Sequence, residues 1–306
     1  MSRHRYAGLI LAADFPIPEL PRAAGRPFAT LSMGPRRRTD RPRAWQHYWR
    51  QPGGAEWMRI ARQPAGHVVQ FPSLAEFSVT RRAIVCSPRV GVPMRTVRHL
   101  LLDQLLPAIL ASRGRLVLHA SAVDMDGRTV GFIGPAGAGK STIAAALARL
   151  GGRTLTDDAL VIDLRGRRAL ITPTYPGLRL WPESRALLGA WRATRRSRVA
   201  HYNRKERWSG SSVRFRRVQT RLDALYLLAR GRRVDVRPVS PQQAMMALVR
   251  FSMMLDATDR AAVRRGFELA SRLVEYVPVM RLAMPRGVRA LEAACDLVRR
   301  GEVTLG

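Results

Sequence analysis

Residues Gly134-Pro135-Ala136-Gly137-Ala138-Gly139-Lys140-Ser141 fit G-x-x-x-x-G-K-[ST] at every fixed position, and few folds can accommodate that string. Its glycines let the backbone curl around phosphate oxygens with N–H groups pointing inward. The chain must then run into a helix whose positive N-terminal end faces the same anion. Lys140 is a compact cation for the β- and γ-phosphates, Ser141 offers a hydroxyl to Mg²⁺, and Thr142 continues the loop into the helix. The apolar run Thr129–Ile133 predicts a strand before the loop. Gly139–Leu150 predicts a helix after it, closed by Gly151-Gly152. This order of strand, loop and helix predicts an α/β core around a bound nucleoside triphosphate, ATP.

The flanks carry the next candidates. His119 precedes the loop by fifteen residues, and Asp157 and Asp158 follow, the first of them seventeen residues beyond Lys140. Adjacent carboxylates past the first crossover helix suit two tasks. One joins the Mg²⁺ shell and the other takes a proton from an attacking hydroxyl. The expectation pairs Ser141 with Asp158 on the metal and gives Asp157 the proton, with His119 polarising the site; the two aspartates are open to exchange. As a turn or helix cap, the same pair would be structural. Asp163, at the end of the apolar run Ala159–Ile162, is a competing metal ligand.

The net charge of +31 invites a nucleic-acid reading. Yet of 53 basic residues only Lys140 and Lys205 are lysine, so an arginine bias accounts for the excess more simply. No zinc-finger spacing, basic zipper or aromatic ribonucleoprotein motif supports nucleic acid as a partner. No run of 18 apolar residues predicts a membrane span. The stretch Ala7–Ala13, followed by Asp14 and Pro16, reads as a first strand rather than a secretory leader. Cys86 and Cys295 make no disulfide framework, which suits a cytoplasmic chain.

Two regions are expected. Residues 1–100 show short apolar runs broken by Pro and Gly, the mark of a small strand-rich domain. Pro35–Arg43 reads as a solvated loop. Residues 101–306 hold the phosphate-loop core, late strands at 222–229 and 234–239, and a helical C-terminal part: Pro241–Leu255, Asp259–Tyr276 and Gly287–Arg300. In the middle helix Val263, Phe267, Ala270, Val274 and Val277 form an apolar stripe expected to pack in the core. Arg192–Arg217 carries ten basic residues and one acid, Glu206. It reads as a long loop, either solvated or closing over phosphates or an acidic peptide. Lys205 lies within it, where a point charge serves better than a planar guanidinium.

His119-Ala-Ser-Ala-Val, the phosphate loop and Thr156-Asp157-Asp158, in that order, resemble the HPr kinase/phosphorylase family of bacterial serine kinases. The likeness is close over residues 115–182, including Pro173–Pro182, and looser over 220–298. It implies a fold related to phosphoenolpyruvate carboxykinase. It also implies roles for His119, Gly134, Gly139, Lys140, Ser141, Asp157 and Asp158 in ATP- and Mg²⁺-dependent serine phosphorylation. The family's Glu-x-Arg-Gly-Leu-Gly signature is replaced here by Tyr175-Pro176-Gly177-Leu178-Arg179. The chain is more similar to shorter members, some of which phosphorylate lasso-peptide precursors. The implied partner is therefore a serine-bearing peptide or small protein rather than HPr, with room for a homo-oligomer. A small-molecule kinase or an ATPase would use the same nucleotide site.

Overall fold

A computed structural model describes residues 1–40, 43–50, 53–189, 191 and 193–304. Arg41 and Pro42 of the expected loop, and Arg192 at the start of the basic segment, lie outside the described residues.

Strands within residues 2–88 form one eight-stranded sheet. Its order is Ser2–Tyr6, Leu9–Ala13, Ala29–Met33, Ala83–Pro88, Ala75–Thr80, Gly66–Phe71, Glu56–Gln63 and His47–Arg50. The stretch Ala7–Ala13, expected as a first strand, is divided between a turn and the second strand, Leu9–Ala13, which follows Ser2–Tyr6. Ala7 (φ 46°) and Gly8 (φ 77°) both adopt left-handed backbone and reverse the chain as a two-residue hairpin loop. One face of the sheet, with Leu31, Ile60, Phe71 and Phe77, is buried against Val97, Leu100, Leu101 and Leu105. Those four belong to a continuous helical stretch: α-helical at Met94–His99, π-helical at Leu100–Leu105, α-helical again at Leu106–Ser112. The wide π turn carries Asp103 into the interior, where it is 3% exposed.

The phosphate-loop strand, Arg128–Ile133, sits inside a six-stranded sheet, parallel to Ala224–Arg230, which in turn is parallel to Val279–Met284. Ala120–Met125 and Arg153–Thr156 extend the sheet on one side, Asp235–Pro238 on the other. Val279–Met284 corrects the helical reading of the C-terminal part. Its short apolar run between Pro278 and Pro285 is a buried inner strand, too brief to show a period of its own. Helix Val288–Arg300 lays Leu291, Cys295 and Val298 against Ile143 and Leu147 of the loop helix, Lys140–Arg149.

The run Leu116–Val123 is also divided. Leu116–Leu118 joins an antiparallel sheet with Leu160–Arg165, Arg168–Thr172 and Thr220–Arg221, whereas Ala120–Met125 belongs to the six-stranded sheet. His119 is the residue between them, its N–H bonded to Phe251 O at 2.7 Å.

The basic segment is a β-hairpin rather than a loop. Arg195–Arg198 pairs with Glu206–Ser209, which pairs in turn with Leu178–Leu180. Fully buried Trp208, packed with Leu178 and Leu180, fixes it. The stripe on Arg260–Tyr276 is only partly core. Ala270 and Val277 are buried, but Val263 is 39% and Phe267 55% exposed. This peripheral helix meets the body along the narrower face of Ala262, Ala270 and Leu273. No described helix is long and apolar enough to cross a membrane.

Candidate active site

The glycine loop leaves the C-terminal edge of the parallel strands, the edge at which open α/β sheets take ligands. Gly134, Gly137 and Gly139 all have left-handed φ, at 153°, 76° and 100°. A Cβ on Gly134 would also stand 3.3 Å from Ala138 Cβ and Leu228 Cβ. Lys140 is buried in the first helical turn, its Nζ donating to Gly134 O at 2.8 Å and Pro135 O at 3.2 Å. Thr142 Oγ1 lies 2.9 Å from Ser184 Oγ, tying the loop helix to Pro182–Leu187.

The two aspartates have different surroundings. Asp157 is buried and fully engaged: Oδ1 accepts from Ser121 Oγ at 2.5 Å and Ser141 Oγ at 2.8 Å, and Oδ2 from the Arg179 N–H at 2.6 Å. The carboxylate beside Ser141 is thus Asp157, where Asp158 was expected; strand Arg153–Thr156 ends so that the first aspartate points under the loop. Asp158 has φ 84°, a left-handed conformation that costs a non-glycine residue about 1 kcal/mol. The turn brings its carboxylate to the cavity wall with Oδ2 3.1 Å from Arg179 Nε. Burial and then the Asp158 charge push the Asp157 carboxyl up. Burial acts the same way on Asp158, but Arg179, Lys205 and His119 outweigh it and hold that carboxyl well below the usual range.

His119 Nδ1 donates to Asp158 O at 3.0 Å, so Nε2 is the free ring nitrogen. Burial lowers the imidazole's pKa, with Lys140 and Lys205 adding repulsion against the pull of Asp158. Asp163 is elsewhere. In the antiparallel sheet it accepts from Thr172 Oγ1 at 2.7 Å and Gln219 Nε2 at 3.1 Å, away from the loop.

Sequence reasoning missed the group that ties these residues together. Arg179, 2% exposed, donates from Nη1 to Asp157 O at 2.7 Å and from Nη2 to Asp103 Oδ1 at 2.8 Å. Its Nε is 3.0 Å from Asp103 Oδ2. Tyr175 OH bridges Asp103 and Arg179, and His99 Nδ1 caps Asp103 Oδ2 at 2.8 Å. The available signal was an acid within the leucine-rich run Leu100–Leu110 and an arginine between Leu178 and Leu180: charges where burial is expected, each needing a partner.

These groups open onto a cavity of about 630 Å³. The loop Ala136–Thr142 forms one wall. His119, Asp158, Trp181 and Lys205 stand on others, and Arg230 and Arg286 extend from strand ends beside the loop. Among the described residues no group of three or more His, Cys, Asp or Glu side chains is arranged to hold a metal ion by itself. Mg²⁺ in nucleotide sites is held by one or two carboxylates together with phosphate oxygens and water. Here Ser141 is the residue that fits: its hydroxyl donates to the buried Asp157 carboxylate and keeps its lone pairs for a cation in the cavity.

No family model and no curated protein matches this chain. Among solved structures it is similar to the Hpr(Ser) kinase/phosphatase from Coxiella burnetii, at 14% identity over 60% of this chain and 95% of that one, with a TM-score of 0.32. A likeness at that level leaves function to the geometry of the site.

Proposed function

We propose that the chain is an ATP- and Mg²⁺-dependent kinase that phosphorylates a serine hydroxyl on a peptide or small protein. The observation that carries this reading is the Ser141–Asp157 contact of 2.8 Å at the head of the phosphate loop, with Asp158 on the wall of the same cavity. The loop N–H groups and Lys140 bind the β- and γ-phosphates. Ser141, its hydroxyl oriented by Asp157, would hold Mg²⁺, which would offset phosphate charge. The acceptor oxygen attacks the γ-phosphorus, and a new O–P bond forms as the bond to the β,γ-bridging oxygen breaks. ADP leaves with that electron pair, and the acceptor proton passes to the Asp158 carboxylate. Asp158 suits this role better than Asp157 because it stands on the cavity wall, whereas Asp157 lies behind Ser141 with its oxygens accepting three hydrogen bonds. A charged acid of low pKa is a weak base in the ground state; its effect is to orient the hydroxyl and take the proton late.

Lys205 of the basic hairpin, Arg230 and the exposed Arg286 line the cavity with positive charge, which steers an acidic acceptor towards it. The test is incubation with γ-labelled ATP and two acceptors side by side, a short serine-bearing peptide and HPr. Label on the peptide serine is expected. Label only on HPr, or only as free phosphate, would overturn the peptide reading, the second outcome leaving an ATPase.

A further inference from the structure

The chain's two lysines are far apart in sequence, yet both line one cavity. Lys140 is held by loop carbonyls. The Lys205 ammonium makes no ion pair among the described residues; it lies 5.5 Å from the Trp181 ring centroid. A cation–π contact of this kind is a weak grip, worth about 1 kcal/mol or less at an exposed site. It positions the ammonium and leaves its three N–H donors for a ligand.

That position is built. Within the hairpin tip, the Lys205 N–H donates to Asn203 Oδ1 at 3.0 Å, and Val199 N–H to Lys205 O at 3.0 Å. The tip is held from outside as well. His201 N–H donates to Thr96 Oγ1 at 3.1 Å, and the Tyr202 ring meets Trp57 edge-on at 5.6 Å and His99 at 6.1 Å. Trp57 belongs to the eight-stranded sheet, so that sheet helps to place a cation in a cavity formed by other strands. The charge of Lys205 acts on Lys140, Asp158 and His119, the groups on either side of the path from phosphate loop to acceptor.

We propose that Lys205 binds the γ-phosphoryl group, as a second cation opposite Lys140, and stabilises its negative charge during transfer. A point-charge donor suits the compact γ-phosphoryl oxygens, and in a chain otherwise supplied with arginine a lysine stands at this position. The inference rests on the nucleotide reading above.

The test is calorimetric titration, at fixed Mg²⁺, of ADP and of a non-hydrolysable β,γ-imido ATP analogue. The proteins are the wild type, Lys205→Ala, Lys205→Met and Lys140→Ala, with circular dichroism as the check on folding. Lys205→Met keeps an unbranched apolar stem at the position and removes the charge. Both Lys205 variants should lose about tenfold or more in affinity for the triphosphate analogue and less than about twofold for ADP. Lys140→Ala should lose both ligands. Equal losses for ADP and the triphosphate, or no loss in folded Lys205→Met, would overturn the proposal while leaving the nucleotide site intact. A wild type that binds neither ligand would instead overturn the nucleotide reading, and this inference with it.

Discussion

Arg179 and Asp103, 76 residues apart in sequence, form a two-pronged ion pair deep in the molecule, Nη2 to Oδ1 at 2.8 Å and Nε to Oδ2 at 3.0 Å. The same guanidinium reaches Asp158 Oδ2 at 3.1 Å. A buried ion pair is weak evidence of net stabilisation, but losing one partner strands the other. Arg179→Met should therefore destabilise the fold by about 3–5 kcal/mol, measured by urea unfolding, because Asp103, Asp157 and Asp158 lose their common cation. An unchanged midpoint and slope would show that the three acids are balanced by other groups.

The same pair sets an acid limit. Burial alone would raise the Asp103 carboxyl, but Arg179, and after it His99, hold it below the ordinary value. A depressed folded-state pKa contributes stability that is complete above the unfolded value, about 3.9, and is lost as pH falls through the folded one. Unfolding free energy should thus fall on acidification below about pH 4, and Asp103→Asn should flatten that part of the profile. An identical acid limb in the variant would assign it to other carboxylates.

Lys140→Ala should abolish phosphoryl transfer with the fold retained, since the side chain bonds only carbonyls of its own loop. Wild-type turnover of ATP in that variant would remove the loop from the chemistry.

The aspartates should separate by their response to metal. Asp157→Asn weakens the oxygen pair with Ser141, so half-maximal rate should need several-fold more Mg²⁺, with some loss of stability from the disturbed hydrogen bonds. Asp158→Asn should lower kcat about a hundredfold at saturating Mg²⁺, the usual scale for a lost general base. Rate measurements across a Mg²⁺ series distinguish the two, and matching curves would contradict the division of roles.

Tyr202 holds the hairpin tip through its ring, so Tyr202→Ala should weaken triphosphate binding several-fold while Tyr202→Phe should not. Parallel losses in both variants would mean that the hydroxyl, not the ring, positions Lys205.

The phosphate loop and its helix were legible because their chemistry is local: eight consecutive residues carry both the backbone conformation and the ligand groups. The aspartate pair was legible as a pair but not in its division of labour. That division follows from a single left-handed residue, Asp158, which no side-chain pattern signals. Arg179 and Asp103 were opaque for the opposite reason. Each looks like an ordinary interruption of an apolar run, and only the tertiary fold makes them partners. The basic segment looked like a loop because charge hides alternation. Its hairpin depends on Trp208, whose burial against Leu178 and Leu180 is a long-range event. Val279–Met284 was lost between two amphipathic helices, although it lies in the interior of the six-stranded sheet.

Confining both lysines to one cavity also makes the protein a selective target for covalent amine chemistry. Apart from the α-amino group of the chain, an acylating reagent finds only Lys140 and Lys205, while the many guanidiniums stay inert. Burial, reinforced by Lys205 against the pull of Asp158 and Asp157, lowers the pKa of the Lys140 ammonium below that of a free lysine. Peptide mapping after acylation thus yields two lysine signals from a single cavity, and a ligand that shields either amine is registered without any knowledge of the acceptor.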